Sequence, residues 1–334
     1  MSKPPYETGR VCIICDGLGD LICATVAEQL FKIRYPHHQL HLCTWGGIFA
    51  ESQQHNSSLA GLYAVDGPPH VQYGHLKQAG FHPSEVVVLD NIVNHARFLD
   101  VATLSKINEQ VKIDPHQLNY LVGEYNRTAI DWWWKTLASF NLDLIGGYCL
   151  QLCGELPLPD LVPKFYCGPD DYKYAETLAD WAPYIVVNHT TGSNRALKEW
   201  PLSNWHALFN LILEKYPSLS ILTVGNSHDT IIPIDSGHSK RVKHLRDTTI
   251  REVYPIVEKA SFHICQQSGL GWLFGCTDTP GLQLNIGSDK VISGINKSNV
   301  AVVDQLKLFD PSTISISAVW DVLQPLLNSL GESR

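Results

Sequence analysis

At 334 residues, with 44% hydrophobic and 17% charged residues, the chain is long for one core and has the composition of a folded protein, not a disordered one. Its 25 Lys and Arg against 33 Asp and Glu give a formal net charge of -8. That balance argues against a broad surface for nucleic-acid phosphates, which needs excess cations to displace counterions.

The segment Met1 to Arg10 has no signal-peptide pattern, and no stretch approaches the roughly 18 apolar residues of a spanning helix. The nine cysteines are an odd count, and several sit inside apolar runs, as suits reduced thiols in a cytoplasmic protein. Cys12 and Cys15 form a CxxC, but within Val11-Cys12-Ile13-Ile14-Cys15 a period of two puts them on opposite faces of a strand, which suits burial better than metal binding. Cys149 and Cys153 are one helical turn apart without a second ligand pair at zinc spacing. His37, His38 and His41 gather around Pro36 and read as a solvated turn.

In chain order, residues 10–15 predict a buried strand ending in the turn Asp16-Gly17-Leu18-Gly19-Asp20. Leu21 to Tyr35 follows with helical spacing at Leu21, Ala24, Ala27, Leu30 and Phe31, and Pro36 stops it. Gln39 to Thr44 and Glu85 to Asp90 read as further strands of a parallel sheet. From about 96 to 145 the pattern is helical and irregular around Trp132-Trp133-Trp134, one of which is a candidate for stacking on a sugar ring. Leu156-Pro157-Leu158-Pro159 lies in a Pro- and Gly-rich linker over 151–170.

A second α/β series then opens. Strands are predicted over Tyr184–Asn188, Ser220–Val224, Ser261–Cys265 and Gly281–Ile286; helices are predicted over Ser203–Tyr216, Arg251–Lys259 and Ser268–Cys276. Ile314 to Leu327 has amphipathic spacing and is a candidate to return across both halves. Strands alternating with helices in each half predict an α/β fold of two doubly wound domains, residues 1–165 and 166–334, with a cleft between them.

Three strand-end segments carry chemistry. Gly17-x-Gly19 lacks the third glycine of a dinucleotide fingerprint, and the Asp20 carboxylate would compete with pyrophosphate for the positive helix end. Asp20 is therefore either a general base at the sheet's C-terminal edge or a plain helix cap. The segment from His189 to Pro201 combines hydroxyls, backbone amides and two cations, Arg195 and Lys198, and can either hold a diphosphate or be a solvated loop. A lysine there would offset the charge on a departing nucleotide. In Gln266-Gln267-Ser268-Gly269-Leu270-Gly271-Trp272, Ser268 can cap the next helix and Gly269 can admit a ligand to the backbone. Asp170-Asp171 sits in the linker without the Asp-x-Asp spacing of a metal-bridged diphosphate site.

Gly19-Asp20 after the first strand, Arg34-Tyr35-Pro36, Lys198-x-Trp200-Pro201 with Trp205, Gly225 after the next strand, and Ser268-Gly269-Leu270 occur in one order. The set resembles the bacterial heptosyltransferases, glycosyltransferase family 9 of the GT-B superfamily, over roughly residues 10–50 and 184–290. The resemblance implies two Rossmann-like domains facing a cleft, the first for the acceptor and the second for a nucleotide sugar. It implies an inverting single displacement without a metal and without a cofactor beyond the nucleotide-diphosphate sugar. By resemblance Asp20 is the base; Lys198, Thr190 and Thr191 hold the diphosphate; Asp229, shortly after Gly225, reaches the ribose; and Gln267, Ser268 and Gly269 meet the donor. A glycan, lipid-linked glycan or protein is the implied acceptor.

Two positions depart from the family pattern: Gln267 stands where an acid is usual, and Trp272 where a His is usual. An amide donates as well as accepts, so the preferred sugar can differ from heptose. The rival readings are a catalytically silent sugar-nucleotide-binding protein of the same fold, a nicotinamide oxidoreductase, and a transferase acting on protein or modified nucleic acid.

Overall fold

A computed structural model describes residues 9–15, 17–67, 69–82, 85–89, 144–154, 156–192, 195–285, 300–304 and 310–332. The chain divides between Tyr166 and Cys167 into two compact units. The tryptophans at 132–134 lie outside the described residues.

The first unit is built on β1 (Arg10–Ile14), whose Val11 to Ile14 are at most 1% exposed because the strand is paired on both sides and covered on both faces. It pairs in parallel with β2 (Gln39–Thr44), with Cys12 opposite His41, and with β4 (Val86–Val88), with Cys12 opposite Val86. β3 (Gly61–Ala64) completes a parallel sheet of order β3-β2-β1-β4. Gly17, at φ +92°, turns the chain into α1 (Leu18–Arg34), and the residue before Pro36, Tyr35, leaves helical geometry and ends it. Asp20 in its first turn and Lys32 and Arg34 in its last suit the helix dipole. The short α2 (Ile48–Glu51) and α3 (Pro69–Gln78) follow β2 and β3, and α4 (Leu144–Cys153) packs along α1. The chain after α4 returns past α1, where Thr25 accepts from the Lys164 amide at 2.9 Å and Gln29 donates to the Val162 carbonyl at 2.9 Å.

Cys12, Cys15, Cys23, Cys43 and Cys149 are all buried in this unit, and burial pushes the Cys12 thiol well up. His37 is exposed, whereas His41 belongs to β2 and lies edge-on to Phe81, 5.2 Å between ring centres, so it is no part of a solvated turn. Glu28, fully buried on α1, accepts from Asn56 at 2.6 Å, and burial pushes its carboxyl up to about 7.

The second unit carries a parallel sheet of order β10-β9-β8-β5-β6-β7: β5 (Tyr184–Asn188), β6 (Ser220–Gly225), β7 (Val242–Arg246), β8 (Phe262–Gln266), β9 (Gly281–Asn285) and β10 (Val300–Asp304). Preceding it is α5 (Tyr172–Glu176); between the strands run α6 (Arg195–Lys198), α7 (Leu202–Lys215), α8 (Ile250–Glu258) and α9 (Gly269–Phe274), and α10 (Ile316–Glu332) ends the chain. Alternation sorts the strands' side chains onto two faces. Ile185, Val187, Ile221, Phe262, Ile264, Leu282 and Leu284 join Trp205, Phe209 and Ile212 of α7 and Val319, Leu323 and Leu327 of α10 in one core. On the other face Tyr184 donates to the Ile256 carbonyl of α8. α8 starts at a capping box in which Thr249 and Glu252 satisfy each other's amides.

The predicted strand–helix alternation is present in both units. The sequence reading did not include the edge strands β3, β7 and β10; in β7, Val242-Lys243-His244-Leu245-Arg246, Leu245 alone is buried, which leaves little apolar signal.

Candidate active site

In each unit one central strand has neighbours that continue the chain in opposite directions, and loops at such a reversal leave a crevice at the strands' C-terminal ends. β1, between β2 and β4, is that strand in the first unit, and Asp20 follows its end. In the second unit the reversal falls between β5 and β8, and the loops beginning at His189 and at Gln267 leave those two strands.

Asp20 is half-buried on the first turn of α1. Its Oδ1 accepts from the Tyr148 hydroxyl at 2.6 Å, and its Oδ2 lies so close to Gly17 that a Cβ there would stand 2.6 Å away. Tyr148, on α4, is 1% exposed; burial and then the Asp20 charge push its phenol well above the ordinary value, so it stays protonated. Nothing in the sequence pattern marks Tyr148, because it acts through α4 packing on α1, 128 residues from Asp20.

Asp229 organises the second unit's site. Its carboxylate accepts from Thr190 Oγ1 at 3.0 Å, Arg195 at 2.6 Å and the Asn226 amide at 2.9 Å. It is 7% exposed, and it crowds Gly225, where any Cβ would collide with Oδ2. A carboxylate offers about four acceptor positions, and donors of the protein itself occupy three of them. The turn it closes is fixed again from outside: Arg246 donates to the carbonyls of Ser227 and Asp229, and Asp247, at φ +58°, accepts from the Ser227 amide at 2.8 Å.

The loop after β5 is held at several points. His189 is buried, its Nε2 lies 2.7 Å from the Thr230 carbonyl, and burial lowers its pKa; the ring is therefore neutral with the proton on Nε2, since a carbonyl only accepts. The Thr191 amide donates to Glu199 at 2.8 Å. Lys198 ends α6, half-buried, two residues before Trp200, which is 2% exposed and donates its indole N–H to the Ile314 carbonyl at 2.8 Å. His189, Gly225, Asn226, Asp229, His244 and Arg246 line a small, shallow recess open to solvent.

At the end of β8, Gln266 is 1% exposed and bridges two parts of the β5 loop, accepting from the Trp200 amide and donating to the His189 carbonyl. Gln267 is 8% exposed, and its backbone N–H donates to the Leu284 carbonyl at 3.0 Å. Ser268 caps α9, as its position suggested, accepting from the Gly271 amide at 3.2 Å while its hydroxyl donates to Asn188 at 3.1 Å. Gly269 opens that helix, but the glycine that packing requires is Gly271, where a Cβ would stand 2.7 Å from the Gln266 carbonyl oxygen. Thr190, Thr191, Lys198, Gly225, Asp229, Gln267, Ser268 and Gly269 thus all belong to the second unit, and Asp20 to the first. The organising roles of Arg195, Arg246 and Gln266 were not read from the sequence, although Arg195 and Gln266 stand inside the segments it singled out.

Asp171 forms an ion pair with Arg251 in which both Nε and Nη2 donate, and it caps the turn at Gly168, so it is already spent on structure. Among the described residues no group of three His, Cys, Asp or Glu is placed to hold a metal ion.

Comparison with known proteins gives this geometry its context. Among curated proteins, none matches the chain in sequence. Solved structures match along nearly its whole length. The E. coli ADP-heptose LPS heptosyltransferase II is 13% identical, with a TM-score of 0.68 over 97% of this chain and 100% of that one. E. coli heptosyltransferase WaaC with ADP is 15% identical, with a TM-score of 0.57 over 95% and 99%. The iron-containing dodecameric glycosyltransferase TibC from enterotoxigenic E. coli H10407 is 13% identical, with a TM-score of 0.58 over 96% and 77%. At these identities the structures establish the GT-B fold of two parallel α/β sheets. The sequence model of glycosyltransferase family 9 (heptosyltransferase) matches residues 121–306, more than half of the chain, and the chain therefore belongs to that family.

Proposed function

We propose that this glycosyltransferase moves a sugar from a nucleoside-diphosphate donor to an acceptor hydroxyl in one inverting displacement, without a metal. The carrying observation is the Asp229 carboxylate, which ties Thr190 and Arg195 of the segment after β5 to the Asn226 amide after β6 in one frame. Rigid donors aimed at developing charge are the strongest means of lowering such a barrier. Lys198, with Thr190 and Thr191, meets the diphosphate; Gly225 and Asp229 take the ribose; Gln267, Ser268 and Gly269 take the sugar side of the donor. Asp20 in the first unit removes the acceptor proton as the glycosidic bond to the diphosphate breaks and the bond to the acceptor oxygen forms on the opposite face.

ADP-heptose is the first donor to test, because the structural relatives include an ADP-heptose transferase and an ADP complex. TibC contains iron, but no fitting ligand cluster occurs among the described residues, and no step here runs through one. A glycan, lipid-linked glycan or protein serves as acceptor in the cytoplasm. No described helix is long and apolar enough to cross a membrane.

The test is a melting-temperature screen against nucleoside diphosphates and their sugars, followed by assay of nucleotide release with and without a chelator. A ligand that binds the native state raises the melting temperature. The expected result is a shift with one base, a larger shift with its sugar, and turnover that survives chelation. No shift with any nucleotide would overturn the donor site, and turnover lost on chelation and restored by added metal would overturn the metal-free displacement.

A further inference from the structure

We propose that Tyr148 is a positioning residue for Asp20, its hydroxyl holding the carboxylate in one orientation; this rests on the reading of Asp20 as the base. The hydroxyl donates to Oδ1 at 2.6 Å, the length of a charge-assisted O–H···O bond, roughly twice as strong as a neutral one. The phenol cannot leave. It is 1% exposed in the face of α4 that packs on α1, between Ile145 and Leu152, which are 6% and 2% exposed. Nor does it lose its proton, because burial and the neighbouring Asp20 charge both oppose the phenolate. Tyr148 is therefore a permanent donor, not a proton relay.

The other oxygen of the carboxylate faces the Gly17 turn. Oδ2 lies over Gly17, whose φ of +92° and missing side chain leave it that space. With one oxygen fixed by a phenol and the other against the Gly17 turn, the carboxylate has one orientation before any acceptor arrives. Catalytic groups need this, since an error of about 0.5 Å in position already costs rate. A hydrogen bond to the charged form favours ionisation, so removing the donor should make the carboxylate easier to protonate.

The role predicts opposite responses from two changes at one atom. Tyr148→Phe deletes the donor while keeping the ring; replacing Tyr148 with 3-fluorotyrosine makes the phenol a stronger donor without changing the packing. Full-length protein labelled with ¹³C at aspartate carboxyls reports the Asp20 titration directly, the signal being assigned by its loss in Asp20→Asn. The expected result is a midpoint raised by about one pH unit in Tyr148→Phe and lowered in the fluorotyrosine protein. The acidic limb of kcat for nucleotide release from ADP-heptose, with water as acceptor, moves the same way in each, and the donor KM is unchanged. A filler role would alter the melting temperature and leave the midpoint alone. Should the Phe variant not fold, the fluorotyrosine protein decides by itself; a midpoint unmoved there, or displaced upward, overturns the proposal. The base assignment fails separately: Asp20→Asn with parental turnover would remove it even if the Tyr148 coupling were measured as expected.

Discussion

Asp20 and Asp229 each stand a few residues past a strand end and each crowd a glycine, yet they are built differently. Asp229 is 7% exposed and accepts from three donors supplied by the two segments that follow β5 and β6. Asp20 is half-buried on a helix turn and aimed by a phenol from another helix. The contrast separates two uses of one side chain. A carboxylate whose lone pairs are consumed by the protein is a frame for other groups, whereas one held by orientation and left partly exposed can take up a proton.

The largest effect should come from removing the base. Asp20→Asn keeps shape and hydrogen bonding but cannot accept the proton, and kcat should fall about 10²–10⁴-fold with nucleotide affinity retained, measured by release kinetics and by ligand-induced melting shifts. Lys198→Ala comes next, with kcat lower by about 10²–10³-fold and an unchanged circular dichroism spectrum; parental turnover would take Lys198 out of the leaving-group site. Asp229→Ala leaves Thr190 and Arg195 without their shared acceptor, so stability should drop by about 1–3 kcal/mol together with nucleotide affinity. If stability did not change, Asp229 would not be holding the loops together, and the contrast with Asp20 would collapse.

The smallest effect is a pH dependence remote from the site. The Glu28 carboxyl is raised to about 7 in the folded chain, above its unfolded value of about 4.3. Folding thus favours the protonated form, and that contribution is fully present below the unfolded value and is lost as pH rises through 7. The slope is at most about 1.4 kcal/mol per pH unit. Glu28→Gln should flatten denaturant midpoints between those limits and be the more stable protein above pH 7.

Much of the fold was legible because β1, β5 and β8 are central strands whose residues are buried on both faces, so their apolar runs are continuous and end sharply at polar loops. Edge strands such as β7 have one wet side and half the signal. Within the site, the loops were legible because hydroxyls, cations and glycines cluster in sequence, as at 189–201. Tyr148, Arg246 and the bridging role of Gln266 were not, because each acts across a distance that only folding closes, 77 residues between Gln266 and His189 and 128 between Tyr148 and Asp20. The meaning of Asp229 changed most. The family pattern implied a ribose ligand, and the structure adds three protein donors to the same carboxylate.

Gly17 and Gly225 set the tolerance of both sites to change. At each, the volume of a methyl group is already occupied by a carboxylate oxygen, so even alanine must evict the acid that the loop was shaped to receive. Neither residue offers a functional group, and a survey restricted to polar side chains would pass over both. In a saturation library they should nevertheless rank among the least replaceable residues, for a reason that deleting a contact never tests: what they contribute is the absence of an atom.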